Sequence, residues 1–243
     1  MESIRNFRSL GGQTTRGGRR VRPGLLYRSA HLADASDADL AALAALGIRT
    51  VFDFRNPGDL AAEGPNRLPE GVRQVSLPMA DPANRTGART DFSRLSAEEL
   101  EDRYGDGKAF RWMKEASGRS VSDPSRSAQF GGFVRGLLAP GAAPALFNCS
   151  AGKDRTGWAA SLLLIALGVP EQQVVDHYLE TNRHVAASRY GELLMPLATA
   201  HEDYFAEQMR VLGDSWGCFD RYWADALGLD DGHRAALRDL LLD

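Results

Sequence analysis

Helix-like and strand-like hydrophobic patterns alternate along the first third of the chain. Leucines at helical spacing follow the capping sequence of residues 36–39, and Gly47 stands where a left-handed residue would end that helix. The β-branched and aromatic run 48–54 then predicts a strand, and residues 72–77 repeat its pattern. Such alternation is typical of an α/β fold, in which helices flank a mainly parallel central sheet.

A buried strand and a buried helix follow each other beyond the middle of the chain. The apolar run 144–147 predicts the strand, and residues 158–167 predict the helix. Residues 149–156 therefore form a strand-to-helix turn at the carboxyl edge of the predicted sheet. Sheets of this class bind ligands at that edge, and the segment Asp53-Phe54-Arg55 is predicted to reach it too.

Two further regions are predicted to be helical additions to this core. Residues 81–123 are polar and contain several glycines, with a capped helix start at 96–99, and we interpret them as a helical insertion. The insertion either covers a pocket as a lid or packs as a satellite cluster. After Pro170 almost continuous helix is predicted, with breaks near Gly213 and Gly228, as a C-terminal helical layer.

The composition is that of a globular protein with a full core. Its 243 residues are 43% hydrophobic and 25% charged, and no linker or repeat divides them, so residues 1–243 are predicted to form a single domain. The net charge of −3 argues against nucleic acid as a partner. No apolar stretch is long enough for a transmembrane segment, and the first residues lack the apolar core of a signal peptide. The cytoplasm is the default expectation, with signal-less secretion left open.

The predicted turn carries a cysteine and an arginine separated by five residues. A strand-to-helix turn points unpaired backbone N–H groups and the positive end of the helix dipole at one spot, which suits an anion. Cys149 begins this turn, and the N–H groups together with the Arg155 guanidinium would stabilise its thiolate form. A nucleophile and a phosphate cradle therefore coincide, and a cysteine in this role favours a reducing compartment.

We predict that the turn hydrolyses phosphomonoesters in two steps. Attack of Cys149 on phosphorus would give a cysteinyl phosphate that water then hydrolyses, and no metal or cofactor is required. The turn and the planar fork of Arg155 would bind the three outer phosphate oxygens. Thr156 would donate its hydroxyl hydrogen to the thiolate and assist release of the phosphate. The predicted phosphate-binding residues are Ser150, Ala151, Gly152, Lys153, Asp154 and Arg155.

A proton donor for the leaving oxygen is predicted among four aspartates. Asp154 is the first choice, because the thiolate and the phosphate beside it favour its protonated form. The alternative is that Asp154 forms an ion pair with Lys153 that only shapes the turn. Asp81, in the segment that follows a strand, is the next candidate. Asp123 is equally well explained as a helix cap, and Asp53 as a structural acceptor at a strand end.

Three other residues have both a functional and an ordinary interpretation. Lys153 is either a second cation for substrates with several phosphates or a solvated lysine. Arg55, at the predicted sheet edge, is a candidate substrate-binding residue. Cys218 is interpreted as a packed thiol, and a resolving role against oxidised Cys149 is the less favoured hypothesis. The five histidines show no zinc-ligand spacing, so no metal site is predicted.

The order of residues 148–157, Asn-Cys-Ser-Ala-Gly-Lys-Asp-Arg-Thr-Gly, resembles the signature of cysteine-dependent tyrosine phosphatases. The bacterial branch of that family reads H-C-x-A-G-K-D-R-T-G at this place. Segments 5–12, 26–30 and 53–55 resemble the branch's N-F-R-D, L-[FY]-R-S and D-L-R motifs. The resemblance covers most of the chain and is weakest in the insertion, residues 81–123.

This resemblance implies a phosphatase fold with Cys149 as nucleophile, Arg155 as phosphate clamp and Asp154 as a catalytic carboxylate. Substrates of the branch include phosphotyrosine proteins, in some members phosphoserine or phosphothreonine, and phosphoinositides. Lysine at the position of Lys153 is associated with the lipid activity, and helical elements cover the pocket. The resemblance therefore implies dual specificity or phosphoinositide hydrolysis as additional activities.

Two positions depart from the pattern of the branch. Asn148 stands where histidine is usual, and Ser9 stands where aspartate is frequent. We expect the Asn148 amide to hydrogen-bond the turn backbone in place of the imidazole.

Two other classes of protein use a comparable anion-binding turn. A sulfurtransferase would pass a persulfide through Cys149, and turnover of thiosulfate would reveal it. A phospho-binding module would capture phosphorylated ligands without releasing phosphate. The chain has the nucleophile, the clamp, the hydroxyl and a nearby acid, which together favour the phosphatase.

Overall fold

A five-stranded sheet forms the centre of the computed structural model, which describes residues 1–81, 92–185 and 191–243. The strands are β1 (Arg8–Ser9), β2 (Leu26–Ser29), β3 (Thr50–Asp53), β4 (Arg73–Ser76) and β5 (Ala145–Asn148). Their order is β1-β2-β5-β3-β4, with β1 antiparallel to β2 and the other pairs parallel. The predicted α/β class with a mainly parallel sheet is confirmed.

Helices cover the sheet and make up most of the C-terminal half. They are α1 (Asp37–Ala45), α2 (Pro57–Glu63), α3 (Ala97–Tyr104), α4 (Lys108–Ser122), α5 (Pro124–Leu137), α6 (Asp154–Leu167), α7 (Glu171–Leu179), α8 (Gly191–Ala198), α9 (Glu202–Trp216), α10 (Phe219–Arg221) and α11 (Asp231–Leu241). Short 3-10 segments lie at Phe92–Arg94 and Glu180–His184, and a π-helical turn lies at Tyr222–Ala226. Within the described ranges, no helix combines the length and the apolar character needed to cross a membrane.

Strand β5 occupies the middle of the sheet, and all of its side chains are buried. Successive side chains of a strand point to opposite faces. Phe147 therefore joins the larger core cluster, where Phe133 lies 5.0 Å from it between ring centroids. Leu146 joins a smaller cluster on the other face, together with Leu43 of α1. Both faces are covered, as a parallel sheet requires.

The helical predictions are confirmed in part. Helix α1 begins with the predicted capping box at Ser36, and α3 begins with one at Ser96. The predicted break near Gly213 is wrong: α9 runs through this glycine and ends at Trp216, followed by Gly217, whose φ is 77°. Packing of α9 along α4 holds the helix together there, since tertiary contacts outweigh the weak helix propensity of one glycine.

The predicted insertion is helical where the structure describes it, while residues 82–91 lie outside the described residues. Phe110 of α4 packs against His201 at 4.9 Å and Tyr204 at 5.2 Å between ring centroids. Met113 is buried in the larger core cluster, whereas Trp112 is 46% exposed. Helix α4 is thus fastened to the C-terminal helical layer by one face.

The register of the sheet brings the carboxyl ends of three strands side by side. Asn148 of β5 lies opposite Ser29 of β2 and Asp53 of β3. The chain continues from Asn148 into the predicted turn, and from Asp53 into the segment that leads to α2. The residues after β2, β3 and β5 therefore surround one point at the edge of the sheet.

Two adjacent glycines of α5 provide a test of this packing. A Cβ on Gly131 would lie 2.0 Å from the Leu227 carbonyl oxygen, whereas one on Gly132 would meet its nearest atom, Leu77 Cδ2, at 3.4 Å. We expect Gly131→Ala to lower the free energy of unfolding by about 1–3 kcal/mol, as overpacking does. Gly132→Ala, the matched control, should leave it unchanged or raise it by up to ~1 kcal/mol through helix propensity. Urea unfolding followed by circular dichroism measures both, and equal losses for the two variants would contradict the packing.

Candidate active site

Cys149 lies at the bottom of the turn between β5 and α6. It follows directly on the last residue of β5 and is 2% exposed. Helix α6 begins at Asp154, without a side-chain cap for its first N–H groups. These free N–H groups and the positive end of the helix dipole therefore lie beside the cysteine sulfur.

Donors from distant segments bind the carbonyl groups of the turn from outside. The bonds run from Asn6 Nδ2 to Ala151 O (3.1 Å) and Gly152 O (2.9 Å), from Arg28 Nη2 to Gly152 O (2.7 Å), and from the His31 backbone N to Ser150 O (3.2 Å). The C=O and N–H of one peptide unit point in opposite directions. Holding the carbonyls outward therefore turns the N–H groups of the following residues toward the centre of the turn, where an anion would lie.

Gly152 is required by the close contact between the turn and β2. Its φ is 67°, which lies in the left-handed region that favours glycine. A Cβ at this position would lie 2.5 Å from the Ser29 carbonyl. Any other residue would push the turn away from the sheet edge.

One nitrogen of the Arg155 guanidinium is fully committed to protein acceptors. Its Nη1 donates to Asp59 Oδ2 at 2.6 Å, to Phe54 O at 3.1 Å and to Met79 O at 3.2 Å. Its Nη2 lies 3.3 Å from Ser150 Oγ, inside the turn. The other edge of the fork, formed by Nε and Nη2, therefore remains for a bidentate ligand.

Asp59 is a site residue that the sequence reasoning missed. It occupies the first turn of α2, where Asn56 and Asp59 form a capping box, and the pattern Asn-Pro-Gly-Asp was the available signal. Burial raises the pKa of the Asp59 carboxyl, but the charge and hydrogen bond of Arg155 lower it by more, so this pKa lies below its ordinary value. For Arg155 the signs are reversed: burial lowers the pKa, and the charges of Cys149 and Asp59 raise it by more. The pair is thus ionised on both sides.

Lys153 and Asp154 form an ion pair, which was the alternative to a catalytic role for Asp154 in the sequence analysis. Lys153 is 2% exposed, so it is not a solvated lysine. Its Nζ lies 2.8 Å from Asp154 Oδ1, donates to Thr199 O at 3.2 Å, and sits 5.7 Å above the Tyr204 ring. The side chain of Asp154 is 37% exposed. The lysine is therefore directed toward the connection between α8 and α9.

The other two acid candidates outside the sheet edge are engaged with arginines or backbone. Asp81 binds Arg119 through two bonds of 3.0 and 3.2 Å and lies 3.9 Å from Arg126. Asp123 caps α5 by accepting from the Arg126 backbone N at 2.8 Å. Asp123 is thus explained by its cap, whereas Asp81 lies two residues beyond Met79, whose carbonyl binds Arg155.

Asp53 and Arg55 bind each other instead of facing the turn. Arg55 Nε and Nη2 donate to the Asp53 carboxylate at 2.8–3.1 Å, and its Nη1 donates to Gly64 O at 2.9 Å. Arg55 is fully buried, with Glu63 as a second ion-pair partner at 3.4 Å. We therefore assign both residues to the structure of the β3–α2 connection rather than to substrate binding.

Three expectations about polar side chains do not match the structure. The Asn148 amide and the Thr156 hydroxyl are buried and make no hydrogen bond with any residue that the structure describes. The predicted bonds from Asn148 to the turn backbone and from Thr156 to the thiolate are therefore absent here. Cys218 is exposed rather than packed.

A known protein family and several known proteins match most of this chain. A family profile described as "Tyrosine phosphatase family" matches residues 1–243. A protein of Cupriavidus necator named as a tyrosine-protein phosphatase is 37% identical over 94% of this chain and 84% of its own length. The triple specificity protein phosphatase PtpB of Mycobacterium tuberculosis is 34% identical over 76% of this chain and 69% of its own length. Among solved structures, the core catalytic domain of the PP-IP phosphatase SIW14 from S. cerevisiae is 12% identical, covering 85% of this chain and 91% of its own, with a TM-score of 0.37.

The Asp59–Arg155 pair is tested by binding of inorganic phosphate. Asp59→Asn removes the charge that orients the guanidinium, and we expect the dissociation constant for phosphate to rise about tenfold, or ~1.4 kcal/mol. Asp37→Asn is the matched control, because Asp37 is exposed at the start of α1 and pairs only with Arg67 among the contacts described for it. Titration calorimetry on both variants makes the comparison. Equal affinities would show that Arg155 holds its orientation without Asp59.

Proposed function

The chain belongs to the tyrosine phosphatase family and is a phosphatase, and from this premise we propose that it hydrolyses phosphotyrosine in proteins through Cys149. One observation supports the assignment of the site: the carbonyls of the turn around Cys149 are bound from outside, which leaves the N–H groups of the following residues directed inward. Cationic Arg155 lies on the same turn. A phosphoryl group at that point would be in contact with nucleophile and clamp together.

The first step forms a cysteinyl phosphate. The Cys149 thiolate attacks phosphorus, the S–P bond forms, and the bond between phosphorus and the tyrosine oxygen breaks. The leaving oxygen takes a proton from an acid, for which we propose Asp154. In the second step a water oxygen attacks phosphorus, the S–P bond breaks, and the proton of the water passes to the same carboxylate.

Charge on the outer phosphate oxygens is met by donors that are already in place. In this proposal the N–H groups of the turn and the Nε–Nη2 edge of Arg155 would surround the oxygens, and the Asp59 ion pair would keep the guanidinium from turning away. Because these donors need no reorganisation during the reaction, they stabilise the transition state more effectively than water would.

Asp154 is the better supported acid. It is the first residue of α6, and its carboxyl group is partly exposed. Its Oδ1 lies 2.8 Å from Lys153 Nζ, and in the proposed reaction the phosphate dianion beside it supplies the neighbouring negative charge that a general acid needs. Asp81 would have to leave two arginines before it could reach a substrate oxygen.

Lys153 bears on the choice between protein and lipid substrates. Binding a second phosphate of a phosphoinositide through Lys153 would require its Nζ to leave both Asp154 and Thr199. We therefore propose phosphotyrosine as the preferred substrate and phosphoinositides as poorer ones. Hydrolysis of phosphoserine and phosphothreonine is proposed to be slower still, because their leaving groups are more basic than a phenol.

Replacement of the nucleophile tests the mechanism. Cys149→Ser should abolish release of phosphate from a phosphotyrosine peptide, by at least about 10⁴-fold, because the hydroxyl has no base to activate it. Phosphate binding by calorimetry should persist, since the turn and Arg155 are unchanged. Cys218→Ser is the control and should retain full turnover, because this thiol is exposed and lies outside the turn. Turnover that survives in Cys149→Ser would remove the mechanism.

Leaving-group dependence tests the acid. For Asp154→Asn we expect a loss of about 10²-fold in kcat with phosphotyrosine and a smaller loss with p-nitrophenyl phosphate, whose leaving group needs little protonation. Asp81→Asn should slow both substrates by a similar, small factor. Should the selective loss appear in Asp81→Asn instead, the acid is Asp81 and Asp154 only shapes the turn.

A further inference from the structure

Arg28 of β2 is a buried cation beneath the turn that the mechanism above does not use. It is completely buried, and within the described residues no carboxylate oxygen lies within 4.0 Å of it. Its Nη2 donates to Gly152 O at 2.7 Å and approaches Lys153 O at 3.5 Å. Its Nη1 lies 3.5 Å from His177 Nδ1.

Such a placement is unfavourable without an anion. Burying a guanidinium away from water destabilises its charge, and here the charge also faces the positive N-terminal end of α6. The neighbours add to this, since burial and the charge of Arg8 both lower the pKa of Arg28. His177 gives no counter-charge, because burial and the charges of Arg28 and Arg8 lower its pKa and keep it neutral.

The other cations at the turn are already matched by carboxylates. Arg155 of α6 pairs with Asp59 of α2 at 2.6 Å, and Lys153 pairs with Asp154 at 2.8 Å. Glu180 raises the pKa of Arg28 from a distance, but its carboxylate is 3.6 Å from Arg8. Of Arg155, Lys153 and Arg28, only Arg28 therefore has no carboxylate partner within 4.0 Å among the described residues.

The register of the sheet sets Arg28 beside Phe147, two residues before Cys149. Of the groups that raise the pKa of Arg28, Cys149 has the largest effect, followed by Tyr178 and Glu180. Interaction between two charges is mutual, so a cation that gains from the thiolate stabilises the thiolate equally.

We infer that Arg28 is a positioning residue of the active site, which holds the turn carbonyls outward and sets a fixed positive charge beneath Cys149. It acts from below the turn, through the Gly152 and Lys153 carbonyls, and does not touch the substrate. The charge stabilises the thiolate before the reaction and the phosphoryl anion during it. The inference deepens the cysteine mechanism proposed above and rests on it.

Alkylation of Cys149 by iodoacetamide tests the inference without requiring turnover. The reagent reacts with the thiolate, so its rate follows the thiolate fraction. In a Cys218→Ser background, we expect Arg28→Gln to lower the alkylation rate at mildly acidic pH by about tenfold. The pH profile of the alkylation rate should move toward higher pH. Arg28→Lys keeps the charge and should stay close to the unsubstituted profile.

The matched control and a second charge-free variant make the experiment decisive. Arg135 also donates to backbone carbonyls, those of Leu227 and Gly228, but lies on α5, so Arg135→Gln should leave the profile unchanged. Arg28→Met replaces Arg28→Gln if the latter does not fold, because long apolar residues often replace buried charges without loss of stability. Unchanged profiles in the folded charge-free variants, or an equal shift in Arg28→Lys, would overturn the inference. Since alkylation needs no phosphatase activity, this failure is distinguishable from failure of the proposed function.

Discussion

The site depends on one constraint: the carbonyl groups of the turn between β5 and α6 must be bound from outside. Asn6, Arg28 and the backbone of His31 provide those bonds. Without them the buried carbonyls would lack partners, and the peptide units could rotate so that oxygen atoms instead of N–H groups faced the centre. An oxygen-lined turn would repel both a thiolate and a phosphate. The chemistry of Cys149 therefore depends on residues far from it in sequence.

The rest of the fold explains how these residues reach the turn. The parallel pairing of β2 with β5 sets Arg28 and Ser29 next to the end of β5, and Gly152 permits the close contact. The N-terminal segment is fastened to α1 by Asp39, whose carboxylate accepts from the backbone N of Glu2 and Ser3. That anchor places Asn6, with a φ of 57°, against the turn. Sheet register and N-terminal anchoring thus act on the same peptide units.

Sequence alone predicted the parts of the site whose signal is local. Cys149 and Arg155 stand out because the turn, its strand and its helix are contiguous, and the α/β class follows from alternating patterns. The roles of Asp59 and Arg28 could not be predicted from their local patterns, because these roles arise only when α2 and β2 meet the turn in space. Strand β2 is four buried residues without alternation. The mistaken break at Gly213 has the opposite cause, since a local signal there is outweighed by packing on α4.

In the proposed mechanism the phosphoryl group passes through the sulfur of Cys149. Rapid quenching of the enzyme during turnover of a phosphotyrosine peptide, followed by peptide mapping with mass spectrometry, tests this directly. A cysteinyl-phosphate intermediate predicts a transient phosphoryl group on the peptide that contains Cys149, formed and lost at the rate of turnover. Turnover with no phosphorylated enzyme peptide, or with phosphate on a different residue, would contradict it.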